Sequence, residues 1–245
     1  MGLLVVLGHA TVEPVARSES IGHPFSGRLA GAVRLPNAGP GFVLFDLTRH
    51  RGLRWATVEL VAAVQHVARV TRRDDRAPLV VGNLSARHGG DIRYSRSHRT
   101  GRDVDLGLPM RDATGRSVAS RYYRFLPDGR SIEARGRYRF DAVHTWDLLR
   151  AFLESPQVEV QWFILNPALA RRVLDAGRVA RAPVALLARA ERLLTLPRYA
   201  NLHRNHLHVR VLCSDGHERC DHGGPVWPWT RRAARPALAL GRTGP

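Results

Sequence analysis

The stretch Tyr94-Ser-Arg-Ser-His-Arg-Thr-Gly-Arg-Asp-Val-Asp-Leu106 sets the reading of this chain. Its last four residues alternate acidic and apolar, the pattern of a strand with one face buried. His98 stands seven residues before Asp105, with Gly101 between them. An imidazole and a carboxylate so placed can share a divalent cation, but two ligands leave a site unfinished. The remainder lies about a hundred residues on, at His206-Leu-His208-Val-Arg210. On a strand, His206, His208 and Arg210 share one face while Leu207, Val209 and Val211 enter the core. A catalytic zinc usually has three protein ligands and keeps a fourth position for water. His98, Asp105 and one of the two strand histidines make an N,O,N set that suits Zn²⁺ and would bring the pKa of a water to roughly 7. The other histidine, with an ordinary pKa of about 6.5, can serve as general base.

Outward from this pair, strands and helices alternate irregularly. Residues 11–40 are rich in Gly, Pro and Ser and read as an extended, looping arm. Gly41-Phe-Val-Leu-Phe-Asp46 and Leu79-Val-Val-Gly82 read as short apolar strands, and Val158-Glu-Val-Gln-Trp-Phe-Ile-Leu165 as a longer one. From Trp55 to Val70, Leu60, Val61, Val64, Val67 and Ala68 fall on one helical stripe. Asp141 to Leu153 is helical, and Asn166 before Pro167 marks a helix start, with helices following at about 167–176 and 183–194. Residues 111–139 are arginine- and turn-rich, an insertion with a hairpin around Pro127-Asp-Gly129. Strands are few, which predicts an α+β domain of helices flanking a small antiparallel sheet, not a doubly wound fold.

The chain has 245 residues, enough for one substantial core, and 44% of them are hydrophobic. No apolar run approaches the ~18 residues of a membrane helix. Formal net charge is +17, and all 38 basic residues are arginine. That surplus implies acidic partners. The arginines spread along the whole chain, aromatics are only 7%, and no RNA- or DNA-binding motif appears, so nucleic acid is not the expected partner. The N-terminus, Met1-Gly-Leu-Leu-Val-Val-Leu-Gly-His-Ala10, has the brief apolar run of a truncated leader but no basic n-region. Cys213 and Cys220 lie seven apart; in an exported protein they would close a loop worth about 2–3 kcal/mol, and in the cytosol they would be thiols or a metal pair. A structural zinc on Cys213, His217, Cys220 and His222 fits no finger spacing. His144 and Trp146 read as packing.

The residues resemble a known group. His98-Arg-Thr-Gly-Arg-Asp-Val-Asp105 and His206-Leu-His208 are similar to the His-x-x-Gly-x-x-x-Asp and His-x-His signatures of the LAS metallopeptidases (lysostaphin, D-Ala-D-Ala peptidases, Sonic hedgehog). Within that group the chain most resembles the penicillin-insensitive murein endopeptidases. Ser20-Ile-Gly22, Leu29-Ala-Gly-Ala32, Leu35-Pro36, Gly89-Gly90, Ser97, Asn166-Pro-Ala168 and His203-Arg-Asn-His-Leu-His-Val-Arg210 followed by Cys213 carry the likeness across residues 18–220. The resemblance implies an LAS/hedgehog-like fold, with His98, Asp105 and His208 as ligands of one zinc, His206 as general base and His203 at the scissile carbonyl. It implies hydrolysis of the D-alanyl–meso-diaminopimelyl amide of peptidoglycan, in the periplasm or otherwise outside the cytoplasm, with no covalent serine intermediate. A D-Ala-D-Ala carboxypeptidase of the same fold and a basic nucleic-acid-binding protein are the alternatives. Two departures stand out. Ser95 occupies the place of a further histidine, and residues 111–139 lack a matching acidic/histidine cluster, so a single zinc is expected. Asp103 shares the face of Asp105 and is placed to act behind the ligands. The expected division is a leader at 1–17, a catalytic domain at 18–222 and a Pro/Arg-rich tail at 223–245.

Overall fold

A computed structural model describes residues 17–93, 95–194 and 203–231. The leader-like N-terminus and the far end of the tail lie outside the described residues. In chain order the first elements are β1 (Glu19–Ile21), β2 (Arg28–Ala30), β3 (Val33–Arg34), β4 (Ala38–Gly39), β5 (Phe42–Leu44), α1 (Asp46–His50), β6 (Trp55–Ala56), α2 (Val58–Thr71) and β7 (Leu79–Val81). After them come β8 (Asp103–Gly107), β9 (Met110–Arg111), β10 (Ser117–Val118), β11 (Arg139–Phe140), α3 (Ala142–Leu153), β12 (Val160–Ile164), α4 (Pro167–Val179), α5 (Val184–Leu194) and β13 (His206–Val211). This is a mixed α+β architecture.

The arm at the start is more ordered than its composition suggests. Glycine and proline cut it into strands of two or three residues, yet Ser20, Leu29 and Leu35 are buried. Its β1–β2 hairpin is pinned by Arg102, a fully buried arginine that donates from Nε to Ser20 Oγ (3.1 Å) and from its terminal nitrogens to the carbonyls of Val211 (3.0 Å) and Asp221 (2.7 Å). Helix α2 starts at Val58 and not at Trp55, because Trp55 and Ala56 pair with β3, and Thr57 caps the helix by accepting from the Leu60 N–H.

The central sheet has six strands in the order β12-β13-β8-β7-β5-β4. The expectation of an antiparallel sheet needs one correction, since β5 and β7 run parallel, α2 making the crossover between them. Register across β12, β13 and β8 aligns Ile164, His208 and Asp105 in one row and Trp162, Arg210 and Asp103 in another. The row between them, Phe163, Val209 and Val104, points the opposite way and is fully buried. Period-two alternation therefore sends one face to the core and the other to the site. A bulge between Val160 and Trp162 interrupts that alternation on β12 and turns Val160 to the core, and the carbonyl of its extra residue, Gln161, accepts a hydrogen bond from Trp227 Nε1 at 2.8 Å. On the core face, Phe163 meets Phe152 of α3 edge to face, and α2, α3, α4 and α5 pack in succession beneath.

Packing does not stop at the expected boundary of 222: Trp227 is buried in the core, with Trp162 and Trp229 against it. The 111–139 stretch forms a small sheet of β10, β9 and β11, and the turn at Pro127-Asp-Gly129 closes with the Gly129 N–H on the Leu126 carbonyl. Among the described residues no helix is long and apolar enough to cross a membrane.

Candidate metal centre

Of the five residues expected as ligands or catalytic groups, three converge to a triangle. His98 Nε2 lies 3.2 Å from His208 Nδ1 and 3.2 Å from Asp105 Oδ1, and the latter two atoms are 3.1 Å apart. All three side chains are buried. With metal–ligand bonds of about 2.0–2.1 Å, the corners of a tetrahedral zinc site stand about 3.3–3.4 Å apart. The observed triangle has that size, its donors are the N,O,N set of a zinc or other first-row divalent ion, and the residues present fit such a group.

How the chain builds the triangle explains its sequence. Asp105 and His208 face each other across the β8–β13 ladder, so their approach is set by register alone. His98 comes from the loop before β8 and sits at φ 63°, a left-handed conformation rarely taken by residues with a side chain. Its N–H is held by Asp103 Oδ2 at 3.3 Å. Gly101 makes the return turn: its φ is 73°, and a Cβ there would stand 2.8 Å from Leu29 and 3.0 Å from the Thr57 nitrogen.

Behind the triangle, Asp103 is fully buried and its Oδ1 accepts from His208 Nε2 (2.8 Å) and Arg210 Nε (2.7 Å). Held at Nε2 by Asp103, the His208 ring turns Nδ1 toward His98 and Asp105, where a bound cation would take the place of its proton. Burial opposes charge on Asp103, but Arg210 and the hydrogen bond from His208 hold its carboxyl well below the usual range. Asp105 is likewise held well below it: burial resists, and the charges of His98 and His206 together with hydrogen bonds from His208 and His98 prevail. His208 is pushed up to about 9, burial being outweighed by its bonds to Asp103 and Asp105. The pocket stabilises positive charge between its carboxylates.

At the rim, His206 Nε2 is 3.5 Å from Asp105 Oδ1 and Nδ1 is 2.7 Å from Asn205 Oδ1. Burial lowers the pKa of His206 and Asp105 resists, which favours a neutral imidazole able to accept a proton. His203 stands edge-on to His206 with ring centres 4.8 Å apart, and 5.9 Å from the His208 ring. All five residues are therefore gathered, with Asp103 behind them. Ser95, at the position of the missing histidine, bonds Ser97 through its hydroxyl (3.3 Å) and adds no ligand. Sequence reasoning missed Tyr122, whose hydroxyl donates to the Asp105 backbone carbonyl at 3.3 Å and whose ring centre lies 6.3 Å from that of His206. It comes from the stretch read as an insertion, where nothing in its spacing ties it to the motif. Cys213 and Cys220 are joined as a disulfide, and His217 accepts from the Ser20 N–H at 3.4 Å.

A buried histidine–aspartate–histidine triangle with two further histidines at its rim is suited to metal-assisted hydrolysis. The profile of the family described as penicillin-insensitive murein endopeptidase matches residues 20–229, and this chain belongs to that family. A protein of that name from Klebsiella pneumoniae subsp. pneumoniae is 25% identical over 221 residues, covering 88% of this chain and 74% of its own length. Another from Klebsiella pneumoniae strain 342 is 24% identical over the same shares.

Proposed function

We propose that this chain is a zinc-dependent murein endopeptidase of LAS-like fold, which cleaves the D-alanyl–meso-diaminopimelyl cross-link of peptidoglycan outside the cytoplasmic membrane. The observation that carries the reading is the triangle of donor atoms with sides of 3.1 to 3.2 Å. His98, Asp105 and His208 would hold one ion; when bound, Zn²⁺ polarises a carbonyl and brings the pKa of a water to about 7. His206 accepts the proton of the attacking water and delivers it to the departing amine. His203, beside it, orients or polarises the scissile carbonyl. No side chain forms a covalent bond to substrate, so β-lactams would not inhibit. The catalytic domain begins near residue 18 and, given the packing of Trp227, includes the start of the tail. A net charge of +17 suits an anionic wall, and the disulfide suits an exported protein.

The test is incubation of purified protein with cross-linked muropeptide dimers, with and without chelator. Zinc-dependent conversion of dimer to monomer is the expected result. No conversion with zinc present refutes it, and release of terminal D-alanine alone would assign a carboxypeptidase. Tighter binding to duplex DNA than to murein at physiological salt would point to a nucleic-acid-binding role.

A further inference from the structure

We infer that Tyr122 is a positioning residue for the general base, its ring forming a fixed wall against which His206 is oriented; this rests on the endopeptidase reading above. The segment between β10 and β11 folds back over the site end of β7 and β8 and delivers Tyr122 in a left-handed conformation, φ 58°. Tyr122 is held at three points, two on the side chain and one on the backbone. Its hydroxyl donates to the Asp105 carbonyl, which also accepts the Gly82 N–H at 2.7 Å. Its N–H is bound by Ser120 Oγ at 3.3 Å. Its face stacks on Phe45 with centres 4.6 Å apart and planes 29° from parallel.

Two glycines clear the space. A methyl at Gly82 would collide with the Tyr122 hydroxyl, and one at Gly107 would come within 2.6 Å of Ser120 Oγ and 3.0 Å of the Tyr122 ring. Gly107 is the residue that pairs with His206 across the ladder, so the bare strand brings the tyrosine up to the histidine. The phenol is committed to the backbone: its hydroxyl is spent on the Asp105 carbonyl. What remains for it is geometry. An imidazole that must carry a proton in one direction loses rate when its ring turns, and His206 is tethered at Nδ1 to Asn205 while its ring meets Tyr122 and His203.

The experiment compares Tyr122→Phe, Tyr122→Ala and Gly82→Ala with the parent enzyme, each loaded with zinc, for kcat and KM on muropeptide dimers, bound zinc, and the imidazole nitrogen resonances of His206. Tyr122→Ala should lower kcat about 10- to 100-fold with KM within about threefold, as a misplaced catalytic group does. Gly82→Ala should lose rate in the same way by displacing the ring, and Tyr122→Phe should restore most of it. Zinc should stay bound in all three, while the His206 resonances broaden or change tautomer only in the two damaged variants. Unchanged kcat in Tyr122→Ala, loss of zinc, or a Tyr122→Phe as poor as Tyr122→Ala would overturn the inference. Should the parent enzyme cleave nothing, the endopeptidase reading fails by itself, and the His206 resonances still decide what Tyr122 does.

Discussion

Replacing Asp103 by asparagine tests whether the buried carboxylate tunes the metal centre or merely fills space. In the native protein its Oδ1 takes two hydrogen bonds, from His208 Nε2 at 2.8 Å and Arg210 Nε at 2.7 Å, and its Oδ2 takes the His98 N–H. Asparagine has the same outline but one acceptor oxygen. Whichever way its amide turns, an NH₂ group faces a donor, either the His98 nitrogen or the His208–Arg210 pair. The charge that makes His208 a stronger ligand and offsets buried Arg210 is also gone. Removing a partner that orients a ligand typically costs 10- to 100-fold in metal affinity, about 1.4–2.7 kcal/mol. Leaving Arg210 without its counter-charge adds about 3–5 kcal/mol of lost folding stability. Chelator competition measures zinc affinity, and circular dichroism at the same temperature shows that the variant is folded. A folded Asp103→Asn protein that binds zinc within about threefold of the parent would refute the reasoning.

Four further outcomes follow from the same structure. His208→Ala should lose zinc and activity together, whereas His206→Ala should keep much of its zinc and lose turnover; equal zinc loss in both would abolish the division of roles. His144 is driven from 6.5 down to about 4 by burial, with Arg76 beside it. The unfolded chain therefore binds its proton first, and stability present above about pH 6.5 should fall by about 3 kcal/mol as pH drops toward 4. Urea midpoints across that range should decline less steeply in His144→Gln. The Cys213→Ser, Cys220→Ser double variant should lose about 2–3 kcal/mol, a drop of roughly 5–10 °C in Tm by scanning calorimetry. Trp227→Ala should cost about 3–5 kcal/mol in denaturant unfolding, and a change under about 1 kcal/mol would show that the tail contributes little to the core.

The site was more legible than the sheet that carries it. Metal donors reveal themselves by residue type and local spacing, and His98, Asp105, His206 and His208 sit in two short stretches whose strand periodicity is plain. The helices at α3 and α4 were readable for a like reason, their caps Asp141 and Asn166 being local signals. Strand pairing is not local. The parallel β5–β7 pair depends on a crossover through α2, and the order of the six strands on contacts far apart in sequence. The arm looked irregular because its strands are too short to show a period. Arg102 looked like any of the other arginines until its three hydrogen-bonded partners, contributed by Ser20, Val211 and Asp221, came together.

The sequence by itself determined which groups could bind a metal, which histidine pair shares a strand face, and that the domain mixes helices with a modest sheet. These follow from side-chain chemistry and from the two-residue period of a strand, both properties of neighbouring residues. Only the tertiary structure decided that His208 Nδ1, and not Nε2, faces Asp105, because the partner that orients the ring, Asp103, lies across the ladder. It alone decided that Tyr122 reaches the site and that Trp227 belongs to the core. Each of those depends on register and on chain folding back over a sheet, where distance in space and distance along the chain are unrelated.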